Sequence, residues 1–269
     1  MSLIKVGVCG ASGKMGKALI KAVSLDKNLE LVSALEHVEN ENVGKDAGEI
    51  ANGGSLGVKI ISDPEEFFSK SNGVIDFSFA DASENNIQIA ANHKCFYVLG
   101  TTGFNNEQAM SIREVSKNMP MVFSANMSIG VNVALYYSEL LAKSLDDDYD
   151  VEIHEIHHRD KRDSPSGTAL AFGNAIAKGR NIDLEENSIK TRWGIEDPRK
   201  KGEIGFSTQR GGDVIGDHTI TFAGLGERIE LSHKSGNREI FSNGAVKALK
   251  WLQQQPPGCY TMTNVLGLN

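Results

Sequence analysis

Hydrophobic residues in the first half of the chain follow two alternating patterns. Short continuous apolar runs, rich in β-branched residues, predict buried strands at 4–9, 30–35, 58–61, 73–79, 94–100 and 120–126. Apolar residues at helical spacing predict helices at 14–25, 64–70, 82–93 and 106–118. Because strands that alternate with helices favour a parallel sheet with right-handed crossovers, the first half is predicted to be an α/β unit with a parallel sheet.

The pattern changes after about residue 128. A long helix is predicted at 131–145, a strand at 151–158, and a helix at 168–179 that Gly179 is expected to close. Three strand-like runs with little helix between them follow at 203–210, 214–224 and 228–235, before a closing helix at 238–255. The second part is therefore predicted to be a smaller α+β unit with a sheet of its own.

The charge balance limits the kind of partner. The 269 residues include 28 Lys and Arg against 35 Asp and Glu, a net charge of −7, which argues against nucleic acid or an anionic membrane. The three cysteines give no disulfide framework and fit buried free thiols in a reducing compartment. No signal peptide and no apolar run near the length of a membrane span are found, so the expected location is the cytoplasm.

A glycine-rich segment joins the first predicted strand to the first helix. Gly10, Gly13 and Gly16 allow a tight turn and a close approach to a pyrophosphate at the helix N-terminus. Glu36 ends the next predicted strand, where a carboxylate would hold a ribose diol. The segment therefore predicts a nicotinamide dinucleotide site, the alternative being a strand–helix turn without a ligand.

The choice between NADH and NADPH depends on the residues near that ribose. Glu36 favours free hydroxyls and hence NADH, whereas a 2′-phosphate needs a cation nearby. His37 is only a partly charged partner, and Lys14 lies in the glycine loop. We expect NADH to be used well and NADPH to be possible.

Two further loops are predicted at the carboxyl edge of the same sheet, in the segments 99–104 and 124–132. Ligands of open parallel sheets bind at that edge, although ordinary turn chemistry would also explain such loops. The candidate nicotinamide contacts are Gly100, Thr101, Thr102, Ser124, Ala125, Asn126 and Met127.

The segment EIHHRDKRDSPSGTAL, residues 155–170, concentrates cations in an acidic chain. Ser164 and Pro165 are predicted as the N-cap and first residue of a helix, with Ser166, Gly167 and Thr168 in its first turn. The amides of that turn, with Lys161 and the histidines, would converge on a small carboxylate anion. The alternative is a solvated charged turn, and a metal site is not expected because no zinc-like spacing is present.

This segment resembles the signature of the 4-hydroxy-tetrahydrodipicolinate reductase (dihydrodipicolinate reductase) family. The family pattern E-hydrophobic-H-H-x-x-K-x-D-x-P-S-G-T-A is met at every fixed position. The stretches GASGKMG, DAGE, GTTGF, ANMSIGVN, RGGDVIGDHT and YTMTNVLGL match the family in the same order, so the resemblance spans nearly the whole chain.

The resemblance implies a Rossmann-type cofactor domain at 1–128, completed by 239–269, and a mixed α+β substrate-binding and tetramerisation domain at 129–238. It implies a homotetramer that transfers hydride from NAD(P)H to a cyclic 2,6-dicarboxylate in lysine biosynthesis. His157 and Lys161 would be catalytic, and His158, Gly167 and Thr168 would bind the substrate. The implied cofactor contacts are Gly10, Ala11, Ser12, Gly13, Lys14, Met15 and Glu36, together with the seven loop residues above. His37 stands where the family often has a basic residue, which bears on the NADPH preference.

Two other functions fit parts of the sequence. A different nicotinamide enzyme, such as a semialdehyde or homoserine dehydrogenase, would share the glycine loop, but Cys95 and Cys259 lack the setting of an acylating nucleophile. A non-enzymatic NAD(H)-sensing protein would also keep the loop, but would have no use for the cluster at His157 and Lys161.

Overall fold

The computed structural model describes residues 3–268, which form two compact units. Unit 1 contains the described residues up to Ile129 together with Arg238–Gly267, and unit 2 contains Gly130–Asn237 with Leu268. Each unit has its own sheet and its own hydrophobic core. No helix within residues 3–268 has the length and apolar character needed to cross a membrane.

The strands are numbered in chain order. They are β1 Ile4–Cys9, β2 Leu29–Leu35, β3 Ile60–Ile61, β4 Gly73–Asp76, β5 Phe96–Leu99, β6 Pro120–Phe123, β7 Asp150–His157, β8 Ser188–Ile189, β9 Ile204–Arg210, β10 Asp217–Gly224, β11 Glu227–Lys234 and β12 Gly258–Tyr260.

The helices are numbered in the same way. They are α1 Lys14–Leu25, α2 Ala47–Ile50, α3 Pro64–Lys70, α4 Ala80–Asn92, α5 Asn106–Val115, α6 Ile129–Ser144, α7 Gly167–Arg180, α8 Leu184–Asn187, α9 Glu239–Leu252 and α10 Met262–Leu266. A single 3₁₀ turn at Ser116–Asn118 follows α5.

Unit 1 confirms the predicted parallel sheet. Its seven strands pair in the order β12-β6-β5-β4-β1-β2-β3, and every pairing is parallel. Neighbouring residues of one strand, such as Val74 and Ile75, belong to two different core clusters because successive side chains point to opposite faces. The order of strands reverses between β1 and β4, which is where open α/β sheets bind their ligands.

Gly16 allows α1 to pack closely on the loop after β1, and Asp76 ends β4. At Gly16 an added Cβ would lie 2.1 Å from the carbonyl oxygen of Gly10, so only glycine allows α1 to pack this closely on the turn after β1. The predicted strand at 73–79 ends at Asp76, because the Asp76 carboxylate accepts the N–H of Ser78 at 2.8 Å and turns the chain.

Unit 2 contains a mixed sheet in the order β11-β10-β7-β9-β8. β7 is the central strand, antiparallel to β10 and parallel to β9. Its buried residues alternate, and Val151 and Ile153 join Phe172 and Ile176 of α7 in one core cluster. The alternation also places Glu155 and His157 on the buried side of β7.

Both predicted ends of the helix after the cationic segment are wrong. The helix continues past Gly179 to Arg180, and Asn181 closes it in the left-handed conformation with φ 55°. Gly179 instead allows close packing, since an added Cβ would lie 2.4 Å from the carbonyl oxygen of Glu139 in α6. At the other end the N-cap is Ser166 and not Ser164, because the Ser166 hydroxyl accepts the N–H of Ala169 at 3.1 Å.

Candidate active site

The glycine loop after β1 combines internal hydrogen bonds with an uncapped helix start. The N–H groups of Gly10 and Ala11 bond to the carbonyl of Leu35, and that of Gly13 bonds to the carbonyl of Gly10. Gly13 is the N-cap of α1 and supplies no side-chain cap, so the amides at Lys14 and Met15 start the helix with its positive dipole end exposed. This arrangement fits an anionic pyrophosphate.

Glu36 links the glycine loop to the end of β2. One carboxylate oxygen accepts the N–H of Ser12 at 2.9 Å, and the other accepts the N–H of His37 at 3.0 Å. The Ser12 hydroxyl is buried without a hydrogen-bond partner among the described residues. The loop therefore offers a carboxylate and a hydroxyl that suit a bound ribose, and His37 lies exposed beside them.

A cleft of about 570 Å³ lies beside Glu36. Gly10, Glu36 and His37 line it from the ends of β1 and β2, and Ser78 and Phe79 line it from the end of β4. Phe79 is 84 % exposed, as expected for an apolar wall that a planar ligand would cover. The residues fit the adenosine half of a dinucleotide.

The two loops at the carboxyl edge of the sheet differ in how their side chains are used. Thr101 is buried, and its hydroxyl accepts that of Ser83 at 2.9 Å, whereas Thr102 is exposed. At Gly100 an added Cβ would lie 2.2 Å from the ring of Phe77, so the loop passes directly over that ring. Gly100 and Thr101 thus shape the loop, and Thr102 is the residue with an exposed side chain.

The loop after β6 is held by its own polar groups. The Ser124 hydroxyl donates to the carbonyl of Asn126 at 2.9 Å, and the Asn126 side chain accepts the N–H of Ser128 at 2.9 Å. Ala125 is exposed, while the side chain of Met127 is buried in the unit 1 core. Any ligand contact at Met127 would therefore be made by its backbone.

The cationic segment of unit 2 is built around a buried carboxylate that the sequence did not single out. Glu155 is 1 % exposed and contacts Nδ1 of His157 through one carboxylate oxygen. Its other oxygen accepts the N–H of Ser166 at 3.0 Å and Nη2 of Arg210 at 3.2 Å. Burial would raise the pKa of Glu155, but the Arg210 and Ser166 hydrogen bonds outweigh it, so the pKa lies below its usual value.

His157 packs against a second buried histidine. The rings of His157 and His218 lie 5.1 Å apart in an edge contact, and Nε2 of His218 lies 3.2 Å from the Ser166 hydroxyl. Burial lowers the pKa of His157, while the Glu155 carboxylate opposes that effect. Burial, with the charge of His157 as a smaller cause, lowers the pKa of His218 to about 4, so His218 is neutral at pH 7.

Lys161 reaches the same region from the loop after β7. Its ammonium lies 2.8 Å from the Asp163 carboxylate, and its carbonyl accepts Nε of Arg210 at 3.3 Å. The Lys161 hydrogen bond, and more weakly the N–H of Gly167, lower the pKa of Asp163. Gly167 and Thr168 form the first turn of α7, and His158 lies just beyond β7, partly exposed. Unit 2 thus brings His157, Lys161 and the start of α7 together around Arg210 and Glu155.

The RGGDVIGDHT stretch contains two site residues that sequence reasoning did not assign, Arg210 and His218. Glu155 is the first fixed residue of the family pattern, and that position was the one sequence feature that could have marked it as a site residue. Within residues 3–268, Glu155, His157 and His218 also form a group whose atoms lie close enough for a metal ion. Glu155 already accepts hydrogen bonds from Arg210 and Ser166, so hydrogen bonding explains why these three side chains lie close together.

A Rossmann-type unit with a cleft beside its glycine loop, and a second unit with a histidine–lysine cluster, are the features expected of a nicotinamide-dependent oxidoreductase. Two family models match this chain and together span most of its length. Residues 4–127 match the dihydrodipicolinate reductase N-terminus, and residues 130–266 match the dihydrodipicolinate reductase C-terminus. The chain belongs to the dihydrodipicolinate reductase family.

Individual relatives match this chain over nearly their full length. The chain is 46% identical over 263 residues to 4-hydroxy-tetrahydrodipicolinate reductase of Brucella abortus (strain 2308), covering 97% of this chain and 98% of the relative. It is 44% identical to the enzyme of that name from Rhodopseudomonas palustris (strain TIE-1), covering 100% of this chain and 99% of the relative. A solved structure of dipicolinate-bound dihydrodipicolinate reductase from Paenisporosarcina sp. TG-14 matches with a TM-score of 0.78 and 25% identity, covering 96% and 97% of the two chains.

Proposed function

We propose that this protein catalyses the NAD(P)H-dependent reduction of 4-hydroxy-2,3,4,5-tetrahydrodipicolinate to (S)-2,3,4,5-tetrahydrodipicolinate, with loss of water, in the diaminopimelate and lysine pathway. The observation that carries the proposal is the cluster of Lys161, His157 and the α7 N-terminus. It assembles cationic and hydrogen-bonding groups in an acidic chain. Such a cluster suits a small dianionic ring and has no use in a protein that only senses a dinucleotide.

The substrate roles follow from the chemistry of each group. The Lys161 ammonium pairs with a ring carboxylate and makes the ring a better hydride acceptor. The first-turn amides of α7, at Gly167 and Thr168, hold a carboxylate together with His158. His157 or Lys161 supplies the proton that must follow the hydride, and these two residues form the catalytic pair.

The cofactor roles rest on unit 1. Bound reduced nicotinamide supplies the hydride. Lys14 and Met15 present the helix-start amides to the pyrophosphate, and Glu36 accepts hydrogen bonds from the ribose hydroxyls. The free hydroxyl pair that Glu36 prefers makes NADH the favoured cofactor, while exposed His37 and Lys14 allow NADPH as well. The loops at Gly100–Thr102 and Ser124–Met127 are proposed to contact the nicotinamide end.

Cysteine chemistry argues against the acylating dehydrogenases. Burial raises the pKa of Cys9, the pKa of Cys95 to about 11, and the pKa of Cys259. An acylating nucleophile needs a lowered thiol pKa in a positive setting. The thiols of this chain therefore favour the ring reductase over a semialdehyde dehydrogenase.

The proposed assembly is a cytoplasmic homotetramer built through unit 2. Trp193 and Ile195 are 88% and 104% exposed, and Leu225 is 104% exposed, so unit 2 presents large apolar side chains that a second copy of the chain would cover. Light scattering of the wild type should give the tetramer mass, and Trp193→Ser with Ile195→Ser should shift the distribution to smaller species. A wild-type protein that runs only as a monomer at all concentrations overturns this assembly.

The reaction is tested by following loss of reduced-nicotinamide absorbance with the cyclic hydroxy-dicarboxylate, using NADH and NADPH in parallel. His157→Gln and Lys161→Ala are each expected to lower kcat by roughly 10²-fold or more, because each removes a proton-transfer or electrostatic group. His154→Gln, on the same strand β7, and Lys190→Ala are the matched controls and should retain wild-type kcat. Cofactor binding without turnover by the wild type would instead favour the sensing protein.

A further inference from the structure

Glu155 stands out in unit 2 because it is a charged side chain at 1 % exposure in the middle of the sheet. A buried carboxylate without hydrogen-bond or charge partners would strongly destabilise the folded protein. Both oxygens of Glu155 are instead engaged, one by Arg210 and Ser166 and the other by His157. The carboxylate is therefore held in place by groups from three segments: β7, the start of α7 and β9.

The contact with His157 sets the state of the imidazole ring. Glu155 and His157 are two residues apart on β7, so their side chains lie on the same face of the sheet. The ionised carboxylate can only accept a hydrogen bond, so Nδ1 of His157 must carry the hydrogen. Nε2 is then the ring nitrogen left to face a ligand.

The Nε2 side of His157 is kept open by a glycine. An added Cβ at Gly216 would lie 2.7 Å from Nε2 of His157, so a larger residue at Gly216 would press on that nitrogen. His218 packs against the ring from the neighbouring strand β10, and its lowered pKa keeps it uncharged there. The His157 ring therefore packs against the uncharged His218 ring, and the Glu155 carboxylate holds it at Nδ1.

The second oxygen of Glu155 connects the histidine to the rest of the cluster. It accepts the N–H of Ser166, the residue that caps α7, at 3.0 Å. It also accepts Nη2 of Arg210, whose guanidinium reaches the carbonyl of Asp163 at 2.5 Å and that of Lys161 at 3.3 Å. One carboxylate thus ties together His157, the start of α7 and the loop that carries Lys161.

We infer that Glu155 is the positioning residue of this site: it fixes the tautomer and orientation of His157 and, through Arg210 and Ser166, aligns Lys161 and the α7 amides with it. The inference rests on the proposed reductase function. Glu155 acts through its neighbours and does not touch the substrate. The charged and titratable groups that face His157 are Glu155, Lys161, Arg210 and His218.

The test compares two variants that change the charge beside His157 in opposite directions. Glu155→Gln removes the carboxylate that opposes the effect of burial, so the pKa of His157 should fall further. Arg210→Gln removes a cation that lowers the same pKa, so the pKa should rise. Histidine NMR titration of the enzyme measures both shifts, with His157→Gln used to assign the signal. Loss of a merely structural contact would not produce shifts of opposite sign.

Kinetics supply the second readout. Glu155→Gln should lower kcat roughly 10-fold or more, because the amide can donate to Nδ1 and stabilise the wrong tautomer, while the KM for the cofactor stays within two-fold. The pH profile of kcat/KM should move in the direction of the NMR shift. Glu152→Gln is the matched control, since Glu152 is a second β7 carboxylate that pairs with arginines on the other side of the strand. Glu155→Asp keeps the charge and serves if the glutamine variant does not fold.

The outcomes separate the inference from the function on which it rests. If the wild type reduces the dicarboxylate but Glu155→Gln leaves both the His157 pKa and kcat unchanged, the positioning role is overturned. If Glu155→Gln and Arg210→Gln shift the His157 pKa in the same direction, the role is overturned as well. If the opposite shifts occur but the wild type has no reductase activity, the proposed function fails while the arrangement around His157 stands.

Discussion

At the scale of single residues, the carboxylates that are fully buried within residues 3–268 are Asp76 in unit 1 and Glu155 in unit 2. Asp76 ends β4 and accepts the Tyr97 hydroxyl at 2.5 Å and the Ser78 hydroxyl at 2.6 Å. Each carboxylate therefore fixes polar groups next to a candidate ligand site. A buried carboxylate is costly unless its oxygens are hydrogen-bonded, and in each unit hydrogen-bond donors, some from other segments of the chain, offset that cost.

Glu36 provides a direct test of the cofactor site. Replacing it with alanine removes the proposed acceptor for the ribose hydroxyls, so the KM for NADH should rise roughly 10- to 100-fold, with a smaller effect on kcat. The KM for NADPH should rise less, because the same change removes a negative charge near the 2′-phosphate. Glu39→Ala, an exposed glutamate in the same loop, is the control. An unchanged KM for NADH in Glu36→Ala would remove Glu36 from the site.

Asp163 competes with the substrate for Lys161 in the proposed site. Its carboxylate lies 2.8 Å from the Lys161 ammonium, where a ring carboxylate is expected to bind. Because the Asp163 side chain is 58% exposed, the pair contributes at most about 1 kcal/mol, and Asp163→Asn should tighten dicarboxylate binding by no more than about five-fold. Calorimetry with dipicolinate measures this, with Asp160→Asn as the control. Weaker binding would mean that Asp163 orients Lys161 and does not compete for it.

At the scale of secondary-structure elements, the local sequence predicted the bounds of an element correctly where the residues of that segment alone determine its structure. The apolar runs predicted β1 and β2 closely, and α3 starts and ends as predicted because Asp63 caps it and Pro64 takes its first position. Local sequence was insufficient where a distant segment decides the structure. β12 is a three-residue strand that exists only because it pairs with β6, more than a hundred residues earlier.

The candidate site shows the same division. The glycine loop and the His157–Lys161 segment were readable because their residues are close in sequence. The partners Glu155 and Arg210 are 55 residues apart, and β9 brings them together only by pairing with β7. The predicted end of α7 at Gly179 was wrong for a related reason. Glycine often ends a helix, but here its missing side chain allows α7 to pack closely against α6.

Gly179 therefore predicts an effect opposite to helix propensity. Alanine is the better helix former by about 1 kcal/mol, yet Gly179→Ala places a methyl group 2.4 Å from the carbonyl oxygen of Glu139. We expect a net loss of roughly 1–3 kcal/mol in the free energy of unfolding, measured by denaturant titration. Asn174→Ala, at an exposed position of the same helix, should be neutral or slightly stabilising. A stabilised Gly179→Ala protein would show that the two helices separate easily.

At the scale of the whole molecule, the two units respond to acid through different groups. In unit 1 the Leu56 N–H, and other donors of the same loop, lower the pKa of Asp46 to about 2. The contribution of Asp46 to folding stability is therefore lost only as the pH falls from about 3.8 toward 2. In unit 2 burial lowers the pKa of His218 from 6.5 to about 4. His218 therefore makes unit 2 sensitive to acid in a milder range.

The sign of that effect follows from proton uptake. Between pH 6.5 and 4 the unfolded chain binds a proton at His218 that the folded unit does not, so folding stability falls as the pH is lowered. The loss is absent above pH 6.5, complete below pH 4, and amounts to about 3 kcal/mol for a group this deeply buried. His218→Gln retains a polar partner for the Ser166 hydroxyl and should remove the His218 part of this dependence. Burial also lowers the pKa of His157 and of His233 in the same unit, so a smaller dependence should remain.

Hydrogen exchange resolved by unit measures the effect, because amides of β7 and β10 report on unit 2 and amides of β1 and β4 report on unit 1. In the wild type, protection in unit 2 should fall between pH 6.5 and 4, after correction for intrinsic exchange rates. His218→Gln should flatten that fall, whereas His154→Gln, on the adjacent strand, should leave it unchanged. Equal pH dependence in wild type and His218→Gln would mean that another group controls acid sensitivity. The neutral His218 that packs beside His157 would then not be the cause.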